Sequence, residues 1–134
     1  MLFNLIDDSM KTLQELKDEF LADGIIDVNE VEELEKVLFA DGKIDLEEAN
    51  MLFDINNVVS GKKNAVTWNK LFIRAISSYL LDDENTLGLI DEDEVEWLYN
   101  KIKGDGQIDA LERELLVNLK SNAKNFPPKL EELL

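Results

Sequence analysis

One short phrase occurs four times in this chain and constrains its fold more than any other feature. The glycines of each pair of copies are 18 residues apart, and the second pair begins 64 residues after the first. We therefore predict a tandem duplication of a unit that contains two such turns. The copies are Gly24-Ile-Ile-Asp-Val-Asn-Glu30, Gly42-Lys-Ile-Asp-Leu-Glu-Glu48, Gly88-Leu-Ile-Asp-Glu-Asp-Glu94 and Gly106-Gln-Ile-Asp-Ala-Leu-Glu112.

Each copy has the local chemistry of a helix end followed by a helix start. Glycine ends a helix at positive φ with little strain, and the isoleucine that follows is expected to point into the core. The aspartate occupies the N-cap position, and the glutamate three residues later completes a capping box. The predicted boxes are Asp27 with Glu30, Asp45 with Glu48, Asp91 with Glu94 and Asp109 with Glu112.

Apolar residues between the turns recur with the period of an α-helix, and no run alternates as a strand would. We predict an all-α, single-domain bundle of about seven helices spanning residues 1–134. Two pseudo-symmetric halves, about 10–60 and 64–122, are followed by a short C-terminal helix at about 127–134. The stripes are Met10-Leu13-Leu16-Phe20, Val28-Val31-Leu34-Leu38, Leu46-Ala49-Leu52-Ile55, Trp68-Leu71-Phe72-Ala75-Ile76-Tyr79, Val95-Leu98-Tyr99-Ile102 and Leu111-Leu115-Leu119. The aromatic residues on the stripes are interpreted as core rather than as a ligand pocket.

The charge balance excludes several classes of partner. The chain has 14 basic and 30 acidic residues, a formal net charge of −16, and neither cysteine nor histidine. Such a charge disfavours nucleic acid and anionic membrane surfaces, and favours basic proteins and hard cations. No apolar stretch approaches the roughly 20 residues of a spanning helix, so we expect a cytoplasmic protein that is a monomer or a weak homodimer.

Catalysis is not expected, because the residues that usually carry it are missing or unsupported. Without cysteine and histidine the chain has no thiol chemistry, no imidazole ligand and no imidazole base. It also has neither a phosphate-binding glycine loop nor a nucleophile motif. The sequence implies no resident cofactor.

A calcium loop is the alternative interpretation of the turns. The phrase matches the second half of an EF-hand loop, where glycine, isoleucine, an acid and a final glutamate recur at fixed positions. The first, second and fourth copies place Leu, Phe or Lys where ligands are needed. The third copy comes nearest, with Asp83, Asn85, Asp91 and Glu94, but Leu87 stands at a ligand position. A site of this kind would suit Ca²⁺ or Mg²⁺.

The phrases Ala22-Asp-Gly-Ile-Ile-Asp and Ala40-Asp-Gly-Lys-Ile-Asp resemble the TerB-like family, named for bacterial tellurite resistance. The resemblance spans roughly residues 10–122. It implies a bundle of about seven helices with internal pseudo-symmetry, in a bacterial cytoplasmic protein linked to stress response, and divalent-metal binding by acidic residues. The residues carried over are Asp23, Asp27, Glu30, Asp41, Asp45, Glu48, Asp105, Asp109 and Glu112. Leu87 departs from the pattern, and a turn motif does not transfer a tellurite phenotype.

Two functions follow from these observations. The favoured hypothesis is a non-enzymatic interaction module whose acidic surface binds a protein partner, with the turn acids acting as helix caps. The alternative is a divalent-cation protein in which those acids hold Ca²⁺ or Mg²⁺.

Overall fold

The computed structural model describes residues 13–40, 43–82, 87–103 and 108–134, and these ranges form seven helices. No strand occurs in them, so the prediction of an all-α bundle of about seven helices is confirmed. The helices are α1 Leu13–Asp23, α2 Val28–Leu38, α3 Leu46–Val59, α4 Val66–Leu81, α5 Glu92–Lys103, α6 Ala110–Asn122 and α7 Pro128–Glu131. The terminal helix α7 is shorter than the predicted segment 127–134, although Leu133 beyond it is still buried.

The turns between helices follow the chemistry of the repeated phrase. Gly24 and Gly88 adopt φ angles of +73° and +77°, the left-handed region that side-chain-bearing residues avoid. The amide of Gly24 donates to the carbonyl of Phe20 at 2.9 Å and so closes the last turn of α1. The isoleucines that follow behave as predicted at Ile26, Ile44 and Ile90, which are buried, while Ile108 is half-buried.

One continuous apolar core runs through the bundle, and each of the seven helices contributes to it. Representative buried residues, one from each helix in order, are Leu16, Leu34, Leu52, Phe72, Leu98, Leu115 and Leu130. Helix α4 is central, because it packs against α2, α3 and α6. Burial of this apolar surface is the main contribution to the stability of the fold.

An aromatic cluster joins α3, α4 and α5 across the middle of the chain. The Phe53 ring lies 5.1 Å from that of Phe72 and 5.5 Å from that of Trp97, both in edge-to-face geometry. The Tyr79 ring lies 5.1 Å from Trp97. Phe53, Phe72 and Trp68 are buried and the other two are half-buried, so these residues belong to the core as the sequence predicted.

Two residues of the predicted core stripes are exposed instead. Val28 keeps 50% of its surface and Leu46 keeps 49%. Each is the first residue of its helix, where the side chain points back over the capped turn rather than onto a neighbouring helix. The remaining stripe positions of α2 and α3 are buried. Met10 lies outside the described residues.

Contacts recur at the 64-residue offset of the sequence repeat. Helix α1 packs on α3 as α4 packs on α6, and α2 packs on α4 as α5 packs on α7. The amide of Ile26 donates to Asn64 Oδ1 at 3.0 Å, and the amide of Ile90 donates to Asn125 Oδ1 at 2.8 Å. These paired contacts support the predicted duplication, which superposition of the two halves would test.

Candidate functional site

All four Asp-x-x-Glu phrases close capping boxes, as predicted. In each, the aspartate carboxylate accepts the glutamate amide and the glutamate carboxylate accepts the aspartate amide, with N···O distances between 2.7 and 3.1 Å. Each cap is worth about 1 kcal/mol, and the acids also suit the positive end of the helix dipole. One oxygen of each of these eight carboxylates is therefore used by the backbone.

The fourth capping box also fastens the two halves together. Besides capping α6, Asp109 accepts hydrogen bonds at Oδ2 from Asn56 Nδ2 at 2.9 Å and from Ser60 Oγ at 2.7 Å. Asn56 is only 2% exposed, and its Oδ1 accepts the indole N–H of Trp68 at 3.3 Å. Both oxygens of Asp109 thus have structural partners, and this carboxylate links the end of α3 to the start of α6.

A depression of about 410 Å³, here called the acidic depression, lies where α1 ends and α2 begins. Five of its seven lining residues are carboxylates, which concentrates negative charge on one concave surface. The lining residues are Glu19, Ala22, Asp23, Asp27, Asn29, Glu30 and Glu33. The first repeated turn is therefore the only one whose acids line a depression together with acids from the preceding helix, among the depressions formed by described residues.

Glu30 registers the field in the acidic depression. Its pKa is raised, first because partial burial disfavours the charged form and then because Asp27, Asp23 and Glu19 repel it; the hydrogen bond from the Asp27 amide opposes these effects. The folded state holds the Glu30 proton more tightly than the unfolded chain does. Ionisation of this group therefore opposes folding as pH rises through the raised pKa. A positive ligand would relieve this repulsion.

The structure brings some of the candidate metal ligands together and separates others. Asp23, Asp27 and Glu30 share the acidic depression, whereas Asp45 with Glu48, Asp91 with Glu94 and Asp109 with Glu112 form separate caps. Across the four described ranges, no group of three or more acids is placed to hold a metal ion. Asp41, Asp83, Asn85 and Asp105 lie outside the described residues, so the loop-site hypothesis at the third copy stays a prediction.

Sequence reasoning missed four residues of these two sites. Glu19 lies four residues before Asp23, and Glu33 lies three residues after Glu30, which are same-face spacings on a helix. That signal was present in the sequence. Asn56 and Ser60 carried no comparable signal, because their partner Asp109 is about fifty residues away along the chain.

None of the helices in the described ranges combines the length and the apolar character needed to cross a membrane. Comparison of the chain with protein-family models, with curated proteins and with solved structures found no significant match. The resemblance to TerB-like proteins consequently rests on the turn motif.

Proposed function

We propose that this protein is a non-enzymatic interaction module that binds a basic segment of a partner protein at the acidic depression. The single observation that carries the proposal is the concentration of five carboxylates around that depression, together with the raised pKa of Glu30. Basic side chains placed there would replace repulsion between like charges with attraction.

The whole-chain charge supports the same class of partner. A net charge of −16 attracts cationic proteins over a distance set by ionic strength, and accelerates their encounter. The depression then distinguishes one place on this surface from the rest, because its acids come from two helices and face one space. Long-range attraction and a local concave site are together sufficient for weak, salt-sensitive binding.

Removing two acids of the depression is expected to weaken binding more than removing two acids elsewhere. The probe is a fluorescent nine-residue Lys/Arg peptide, and the test variant is Glu19→Gln with Glu33→Gln, neither of which caps a helix. We expect binding about 3- to 10-fold weaker at low ionic strength, since each exposed charge contact contributes up to about 1 kcal/mol. Fluorescence anisotropy measures the affinity.

The matched control is Glu47→Gln with Glu132→Gln, two exposed acids away from the depression. Both double variants lose the same amount of negative charge, so long-range attraction falls equally in the two. Equal weakening in both would contradict a site at the acidic depression and leave only non-specific attraction.

A divalent cation in the acidic depression is the second candidate function, favoured by the same crowding of Asp23, Asp27 and Glu30. Thermal melting in CaCl₂ or MgCl₂ against NaCl at matched ionic strength separates the two. Salt alone should raise the melting temperature by screening self-repulsion. A specific site should add stabilisation at low metal concentration that follows mass action, and that Glu19→Gln with Glu33→Gln reduces. Divalent effects no larger than that of sodium would remove the cation hypothesis.

Kinship with TerB-like proteins, a role in bacterial stress response and a cytoplasmic location remain part of this proposal. The all-helical bundle and the repeated capped turns support the kinship.

A further inference from the structure

A groove of about 670 Å³ lies between α4 and α6, on a part of the molecule remote in sequence from the acidic depression. We name it the α4–α6 groove. Val117 lies on it and keeps 51% of its surface, which is unusual for a valine in the middle of a helix whose opposite side is fully buried. Residues of the groove used below are Ile73, Ile108, Glu114, Val117 and Asn118.

The repeat supplies a second view of the same surface. At the 64-residue offset, Val117 and Glu114 of α6 correspond to Phe53 and Asn50 of α3. The core positions agree with this alignment, because Met51, Leu52 and Ile55 of α3 and their counterparts Leu115, Leu116 and Leu119 are all buried. The two helices therefore present equivalent faces.

On α3 this face is covered by another helix. Phe53 is 1% exposed because the Trp97 ring of α5 packs 5.5 Å from it, and Trp97 Nε1 donates to Asn50 Oδ1 at 2.8 Å. Helix α5 thus anchors to α3 with one aromatic side chain and one hydrogen bond. A polar–apolar pair of this kind is typical of a recognition site for an amphipathic helix.

On α6 the equivalent face is open in the described chain. Helix α7 packs on α5 as α4 packs on α2, so the arrangement of helices continues past the second half by one short element. Within the described ranges, no helix stands against Glu114 and Val117 as α5 stands against Asn50 and Phe53. The difference between 1% and 51% exposure at equivalent positions measures this.

We infer that the α4–α6 groove is a docking surface for an amphipathic helix of a partner protein, which lies against α6 as α5 lies against α3. A bulky apolar side chain covers Val117 between Ile73 and Ile108. Glu114 replaces the amide of Asn50 with a carboxylate, which accepts hydrogen bonds only, so the partner presents an indole N–H or a cationic group there. A partner helix with net positive charge also matches the field of a chain that carries −16, whereas a second copy would be repelled.

The test uses a peptide made from the helix that already occupies the equivalent position. The probe is a fluorescent peptide of α5, Glu92–Lys103, with Glu92→Lys, Asp93→Lys and Glu96→Lys to make it basic. A second peptide adds Trp97→Ala at the same charge. We expect the first peptide to bind the intact chain about tenfold more tightly than the second, as an aromatic anchor requires.

Two protein variants locate the site. Val117→Lys should weaken binding of the first peptide about tenfold or more, while Val66→Lys, the same change at a valine that is 72% exposed, should change it less than about twofold. Chemical shift changes in the unsubstituted chain should centre on Ile73, Val117 and Asn118. Unchanged melting temperatures show that both variants fold.

Three outcomes would overturn the inference. These are equal affinities for the two peptides, equal effects of the two lysine variants, or a dimer in sedimentation that Val117→Lys abolishes, which would assign the groove to a second copy. The result is independent of the proposed function, because the Glu19→Gln with Glu33→Gln variant should bind this peptide as its control double variant does. If that variant alone weakens the peptide, the acidic depression keeps its role and the groove loses its own.

Discussion

Replacing Phe53 by alanine is expected to destabilise the protein by about 3 to 5 kcal/mol. Phe53 is 1% exposed and contacts the rings of both Phe72 and Trp97, so the substitution opens a cavity where α3, α4 and α5 meet. The lost transfer free energy adds to the cost of that cavity, and the two remaining rings lose their edge-to-face partner. Urea denaturation followed by circular dichroism measures the loss.

The repeat offers a matched control for this measurement. Val117→Ala at the equivalent position of α6 should change stability by no more than about 0.5 kcal/mol, because Val117 is 51% exposed. A loss at Val117 comparable to that at Phe53 would show that something covers the α4–α6 groove in the free protein. It would also contradict the asymmetry on which the docking inference depends.

The second large effect is expected at Asp109. Asp109→Ala removes the cap of α6 and also the acceptor shared by Asn56 and Ser60. Loss of the cap costs about 1 kcal/mol, and leaving the buried amide of Asn56 without this acceptor costs about 1 to 3 kcal/mol more. We therefore expect a total loss of about 2 to 4 kcal/mol in the free energy of unfolding.

Asp27→Ala is the control, because Asp27 makes the same capping box without the hydrogen bonds that Asp109 makes to α3. Its loss should be about 1 kcal/mol or less, since removing a charge from the acidic depression offsets part of the lost cap. A double-mutant cycle between Asp109→Ala and Asn56→Ala should show coupling above about 0.5 kcal/mol. Equal losses for the two aspartates, with no coupling, would mean that the link between α3 and α6 contributes nothing to stability.

The contrast between Asp27 and Asp109 indicates how far a site can be predicted from a repeated motif. The phrase predicts the same local role for both aspartates, and the capping boxes confirm it. One of them then faces a crowd of carboxylates and the other faces Asn56 and Ser60. Neighbours that are remote in sequence distinguish them, and the motif carries no information about those neighbours.

The candidate metal residues illustrate the same limit. Thirteen residues were predicted from spacing within short loops, and every Asp-x-x-Glu pair among the described ones turned out to use backbone amides as partners. Glu19 and Glu33 join the acidic depression only because α1 and α2 meet at the turn between them. Helix spacing indicates which residues share a face, but the angle between two helices determines whether two such faces form one site.

By itself the sequence determined where helices end and begin, because glycine turns and Asp-x-x-Glu caps act through atoms only a few residues apart. It also determined the all-α class through the spacing of apolar residues. Only the tertiary structure decided that Phe53 is buried while its counterpart Val117 is exposed, and that Asp109 joins two halves while Asp27 lines a depression. Those differences depend on which helix packs against each equivalent face, and the free energy of packing comes from residues far apart in the chain.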